Sequence, residues 1–124
     1  MENLILEKTG NTPYVNFDFQ KGILKICGRS IPENPFLFYD NLFDWLNKYA
    51  LAPREETLVE LQFEYINSGS SKCVVQLLGI LEDKVTKRSD ILIKWFYEEE
   101  DESMLEQGEN YSNIIKLNFE MVKF

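Results

Sequence analysis

Apolar residues recur along this chain with two different periods, and the switches between them outline the fold. Near the start, Leu4 and Leu6 alternate with Ile5 and Glu7, and Val15, Phe17 and Phe19 alternate with Asn16 and Asp18. Ile23-Leu24-Lys25-Ile26-Cys27 follows after the link Gln20-Lys21-Gly22. Period-two patterning rich in Val, Ile and Phe predicts three strands, and the short Gly-containing link predicts a hairpin between the second and third. The next segment, Gly28-Arg29-Ser30-Ile31-Pro32-Glu33-Asn34-Pro35, holds two prolines and a glycine and reads as a loop.

The period then changes. Phe36, Tyr39, Phe43, Leu46 and Tyr49 recur at helical spacing, with Asp40, Asn47 and Lys48 on the other side. Asn34 suits an N-cap and Pro35 the first helical position, which predicts a helix over about 35–50 with its aromatic residues in the core. From Leu58 to Ile66 the alternation returns: Val59, Leu61, Phe63 and Tyr65 on one face, Glu60, Gln62 and Glu64 on the other. A tight link, Asn67-Ser68-Gly69-Ser70, leads to a second helix expected over about 71–87, with Val74, Leu77, Leu78, Leu81 and Val85 as its apolar stripe. A strand over 91–97, an acidic stretch with a short helix, and a last strand over 115–122 complete the chain. Strand, helix, strand with short links implies a right-handed crossover that sets 58–66 and 91–97 parallel. The expected fold is α/β: one domain over 1–124, a mixed β-sheet of about six strands, and helices chiefly on one face.

Composition agrees with one globular domain of 124 residues, 44% hydrophobic and 27% charged. No apolar run approaches the roughly 20 residues needed to span a bilayer, and Met1-Glu2-Asn3-Leu4-Ile5 lacks the basic start of a signal peptide. A cytoplasmic location is therefore expected. Thirteen basic against 21 acidic residues give a net charge of −8. That balance, with no basic cluster, argues against nucleic acid or an anionic membrane as partner. The absence of histidine removes the commonest general base, the Ser/His and Cys/His dyads and most zinc sites. Cys27 and Cys73 are too far apart for a CxxC motif and read as small buried hydrophobes. No cofactor is implied and no catalytic residue stands out.

Two segments hold candidate chemistry. Asn67-Ser68-Gly69-Ser70-Ser71-Lys72 runs from a strand's carboxyl end into a helix N-terminus, where free N–H groups and the helix dipole favour an anion. Lys72 adds a full charge, so a phosphate on a serine hydroxyl here would find local donors. The plainer reading is one capping serine and one turn glycine, and a Walker A loop is excluded by spacing. In the second segment, residues 98–109 hold seven acidic and no basic side chains, nearly the whole net charge. Glu98, Asp101 and Glu102 read as a solvated helix start, a docking face for a basic partner, or a site for a divalent cation.

The blocks Gly28-Arg29-Ser30-Ile31-Pro32-Glu33-Asn34-Pro35, Phe38-Tyr39, Trp45-Leu46, Tyr65-Ile66-Asn67-Ser68-Gly69-Ser70-Ser71-Lys72, Trp95-Phe96-Tyr97 and Asp101-Glu102-Ser103-Met104 together resemble the SiaC family of bacterial regulatory phosphoproteins. The resemblance covers almost the whole chain. It implies a single α/β domain similar to the STAS-like anti-sigma factor antagonists, working without catalysis in a partner-switching circuit. In such circuits a GHKL-type kinase phosphorylates a hydroxyl of the Asn67–Lys72 segment, a PP2C-type phosphatase removes the phosphate, and the unphosphorylated form activates a diguanylate cyclase, raising cyclic di-GMP and promoting biofilm. The family's phosphorylated threonine falls on Ser68, with Ser70 and Ser71 as alternates and Gly69 in place of a more usual serine. Asn67, Gly69 and Lys72 form the surroundings. Arg29, Glu33, Asp101 and Glu102 are expected on the partner-binding surface, Arg29 and Glu33 alternatively as braces of their loop. A competing reading is a small acidic cation-binding protein or enzyme built on the Glu98–Glu102 cluster.

Overall fold

The computed structural model describes residues 1–124. Its strands are β1 (Leu4–Leu6), β2 (Tyr14–Asp18), β3 (Ile23–Ser30), β4 (Glu56–Ile66), β5 (Asp90–Tyr97) and β6 (Asn118–Lys123). Its helices are α1 (Pro35–Tyr49), α2 (Ser68–Asp83) and α3 (Glu102–Ile114), with a 3-10 turn at Val85–Lys87. The six strands form one mixed sheet in sequence order: β1, β2 and β3 are antiparallel, and β3 to β6 are parallel. Each parallel step is made by one helix.

Because the strand order advances in one direction, crossovers of a single hand place every helix on the same side of the sheet. The burial pattern matches that geometry. Leu24 and Ile26 of β3, Val59, Leu61 and Phe63 of β4, and Ile91, Ile93 and Trp95 of β5 are buried beneath the helices, while their neighbours in each strand are half-buried or exposed. α1 contributes Tyr39, Leu42, Phe43, Trp45, Leu46 and Tyr49 to this core, and α2 contributes Cys73, Val74, Leu77, Leu78 and Leu81. α3 closes the β5–β6 end. Trp95 donates its indole N–H to the Met104 carbonyl at 2.9 Å, and Gly108 lies against the Trp95 ring, where a Cβ would come within 2.4 Å of the ring edge. No helix is long and apolar enough to cross a membrane.

Four sequence expectations shift. Phe36, assigned to the α1 core stripe, is 54% exposed, because the first turn of α1 projects beyond the edge of the sheet core. Tyr65 does not continue the buried face of β4. The β3–β4 register skips one residue, with Gly28 opposite Phe63 but Arg29 opposite Tyr65. That bulge at Glu64 turns Tyr65 to solvent. Gly28 accommodates the irregularity with a φ of 126°, which a side chain would oppose. The last strand begins at Asn118 rather than 115, since Ile115 caps α3 and is buried there. Cys27 is half-buried on the uncovered face of the sheet, whereas Cys73 is fully buried and both are free thiols.

Candidate functional site

The second helix starts three residues earlier than its apolar period suggests. Asn67, not a serine, is the cap: its side-chain oxygen accepts from the Ser70 N–H at 2.8 Å and its carbonyl from the Ser71 N–H at 2.9 Å. The N–H groups of Ser68 and Gly69 are thereby left without an intrahelical acceptor at the positive end of the helix dipole. The Asn67 N–H also donates to the Ser30 carbonyl at 3.0 Å, and its side-chain amide reaches the Pro32 carbonyl at 3.5 Å. These bonds tie the start of α2 to the loop carrying Glu33.

The three serines have different surroundings. Ser68, at the first helical position, is exposed. Ser70 is fully buried, and its hydroxyl accepts from Ser30 Oγ at 2.9 Å, which in turn shares a hydrogen bond with the Tyr39 hydroxyl at 2.7 Å. Burial pushes the Tyr39 phenol well above its ordinary range, so this network is uncharged. Ser71 is half-buried and hydrogen-bonded to the Tyr111 hydroxyl, which Gln107 Nε2 also reaches at 2.9 Å. Desolvation raises the Tyr111 phenol too, against the lowering effect of those two bonds. Ser68 is therefore open to solvent, whereas Ser70 could be reached only by opening the core and Ser71 only by pulling α3 from α2.

Lys72 is exposed one helical turn beyond Ser68, where an i, i+4 pair shares one face. Gly69 is needed for close approach. A Cβ there would lie 2.8 Å from Pro35 Cγ, so the starts of α1 and α2 meet only because residue 69 has no side chain. The rim holds three large exposed apolar side chains, Phe36, Leu37 and Tyr65. Helical and strand periodicity hid Phe36 and Tyr65, which fall within patterns that read as core, whereas Leu37 lies outside the apolar stripe of α1. Tyr111, Gln107, Ser30 and Tyr39, which sort the serines, carried no local signal either.

Arg29 and Glu33 are both exposed, Arg29 beside Tyr65 in the bulge and Glu33 in the loop before α1. Asp101 and Glu102 follow the carboxyl end of β5. Asp101 is the N-cap of α3, accepting from the Met104 N–H at 3.0 Å, and it lines a cleft of about 130 Å³ with Cys27, Gln62, Glu64, Glu98 and Phe124. Glu102 is exposed in the first turn of that helix. Arg29, the Asn67–Lys72 turn and Asp101 thus all stand at the carboxyl edge of the parallel strands. The acidic side chains of 98–102 do not converge, and nowhere do three potential ligands gather around one point as a cation site requires.

The architecture is a one-sided α/β sheet with a hydroxyl presented at a capped helix start. The model of the SiaC family regulatory phosphoproteins matches residues 6–124, and the chain belongs to that family. An uncharacterised protein of Pseudomonas aeruginosa strain UCBPP-PA14 is 26% identical over 111 residues, 90% of this chain and 88% of that one. The crystal structure of apo-SiaC from Pseudomonas aeruginosa superposes with a TM-score of 0.90 at 24% identity, covering 98% of this chain and 99% of that chain. SiaC in the crystal structure of the diguanylate cyclase SiaD with its activator SiaC gives the same TM-score, identity and coverage. At that identity the likeness establishes a shared fold.

Proposed function

We propose that this chain is a non-enzymatic switch protein whose binding to a partner, a diguanylate cyclase, is controlled by reversible phosphorylation of Ser68. A GHKL-type kinase adds the phosphate and a PP2C-type phosphatase removes it. The observation that carries the reading is the exposed Ser68 hydroxyl at the first position of α2, beside two uncapped N–H groups and one turn from Lys72. A phosphate brings roughly −1.5 to −2 charges and three acceptor oxygens. At this position those oxygens are met by helix N–H groups and an ammonium, so the domain stays folded when modified.

The effect on a partner is different. Phe36, Leu37 and Tyr65 around Ser68 are suited to an apolar contact that a dianion in its midst would disrupt, through desolvation cost and repulsion of acidic groups. Arg29, Glu33, Asp101 and Glu102 form the polar margin of the same edge. The SiaC of the SiaD complex is described as the activator of that cyclase, which supports a cyclase as the output partner. The expected setting is cytoplasmic cyclic di-GMP signalling.

The reading is tested by titrating the cognate cyclase with wild-type chain, Ser68→Ala and Ser68→Asp, and by measuring cyclic di-GMP production. Ser68→Ala should bind and activate as wild type does, and Ser68→Asp should bind at least about tenfold more weakly. Equal affinities would remove Ser68 as the switch. Kinase treatment followed by peptide mass spectrometry should place the phosphate on Ser68, and a phosphate on Ser70 or Ser71 would move the site.

A further inference from the structure

The face of the sheet opposite the helices carries no helix, and its side chains run in rows across the strands. One row is Ile23, Leu58, Leu92 and Asn118, from β3 to β6, and the next is Lys25, Glu60, Lys94 and Glu120 in the same order. The flanking residues of each strand, Leu24 and Ile26, Val59 and Leu61, Ile93 and Trp95, point into the core, so both rows lie on the uncovered face. Charge alternates along the second row. Yet none of its four members is in an ion pair, for the single ion pair of the structure joins Lys123 to Glu99.

We propose that this face is a self-association surface whose occupant is a second copy of this chain, packed sheet against sheet about a two-fold axis. The order of the charges points to this packing. Place the axis in the plane of the interface, parallel to the strands and midway between β4 and β5. The operation reverses the order of strands and leaves the level along each strand unchanged. Lys25 then meets Glu120 of the second copy and Glu60 meets Lys94 of the second copy, and the reciprocal contacts repeat both. All four charges meet an opposite charge. On the row below, Leu58 meets Leu92 and Ile23 meets Asn118, so apolar side chains form the middle of that row.

Aligned sheets pack at about 30° to one another, which displaces the corners more than the centre. The central pair, Glu60 with Lys94, is therefore the determinant and Lys25 with Glu120 the lesser contribution. Strand spacing and rise give a footprint of roughly 450 Å² per copy for the four parallel strands. That falls below the roughly 800 Å² per partner of a standard stable interface, so the dimer forms only as concentration rises. The carboxyl edge with Ser68 is left outside the contact, and the proposal is independent of the switch reading.

Sedimentation velocity on the full chain from about 5 to about 500 µM tests it. Wild type should shift from monomer toward dimer across that range. Glu60→Lys and Lys94→Glu each set like charges against one another twice and should weaken self-association by at least about tenfold, although they change the net charge in opposite directions. An equimolar mixture of the two variants restores both central pairs and should dimerise as well as wild type does, as should the double variant Glu60→Lys with Lys94→Glu. Circular dichroism verifies that each variant is folded. A wild-type chain that remains monomeric throughout overturns the proposal, as do single variants that dimerise unchanged or a mixture that stays monomeric.

Discussion

The two ends of β4 carry the same internal device with different connections. At the carboxyl end, Tyr39, Ser30 and Ser70 form a chain of three buried hydroxyls; at the amino end, Tyr49, Thr57 and Ser89 form another, with Tyr49 to Thr57 at 2.8 Å and Thr57 to Ser89 at 2.6 Å. Both tyrosines come from α1. The amino-end chain has exits to the backbone: the Tyr49 hydroxyl accepts from the Arg54 N–H at 3.2 Å, and Ser89 donates to the Glu55 carbonyl at 3.4 Å. The carboxyl-end hydroxyls have only one another, and one of them belongs to the first turn of α2. The amino-end network therefore holds down a loop, whereas the carboxyl-end network fixes the orientation of the helix start that presents Ser68.

The largest effect is expected where α3 packs on Trp95 of β5. Gly108→Ala drives a methyl into the Trp95 ring and should cost about 3 kcal/mol even after the gain in helix propensity, read by urea unfolding. Since α3 also carries Tyr111, the same variant should expose Ser71 to modification.

Ser30→Ala and Thr57→Val probe the two networks alike, because each removes the middle hydroxyl of its chain. Ser30→Ala leaves Tyr39 and Ser70 with at most each other and should cost about 2 kcal/mol. Thr57→Val leaves both neighbours with backbone partners and should cost under about 1 kcal/mol. Equal losses by chemical denaturation would dissolve the distinction between the two networks. Partner binding by the unphosphorylated chain should change only in Ser30→Ala.

A smaller effect is set by pH. Burial holds the folded-state phenol of Tyr39 well above its ordinary value of 10, and that of Tyr111 above the same value. The folded state thus keeps protons that the unfolded chain gives up. The associated stability is intact below pH 10 and is lost as pH rises from there through the folded-state values. For Tyr39 the loss reaches about 1.4 kcal/mol by pH 11. Tyr39→Phe should flatten this part of the stability profile, measured by urea melts between pH 9 and about 11.

Much of the fold was legible in the order of residues. The three N-terminal strands, the hairpin through Gln20-Lys21-Gly22, the start of α1 at Pro35 behind Asn34, the parallel β4–β5 pair and the helices on one face all appear as expected. These depend on neighbours in the chain, on capping side chains and on the handedness of short crossovers. The misreadings share one cause. Tyr65 and Phe36 fit their local periods, but a one-residue bulge and a helix end lying beyond the sheet turn them to solvent. The boundary of α2 moved because Asn67 caps it with a side chain that apolar spacing does not register.

The order of residues was enough to show which segments are strands and helices, the hairpin between the second and third strands, the parallel pairing of 58–66 with 91–97, and a hydroxyl-rich turn at a strand's carboxyl end. It also determined family membership, because the motif blocks are properties of contiguous residues. Which serine is accessible was settled by the folding of distant segments against one another. Ser70 is sealed by Ser30, forty residues away, and Ser71 is held by Tyr111, forty residues away in the other direction. The tertiary structure alone also lined up Lys25, Glu60, Lys94 and Glu120 in one row, since cross-strand register is set by pairing between segments. A period is written within a dozen residues, whereas exposure and register depend on what distant parts of the chain bring alongside.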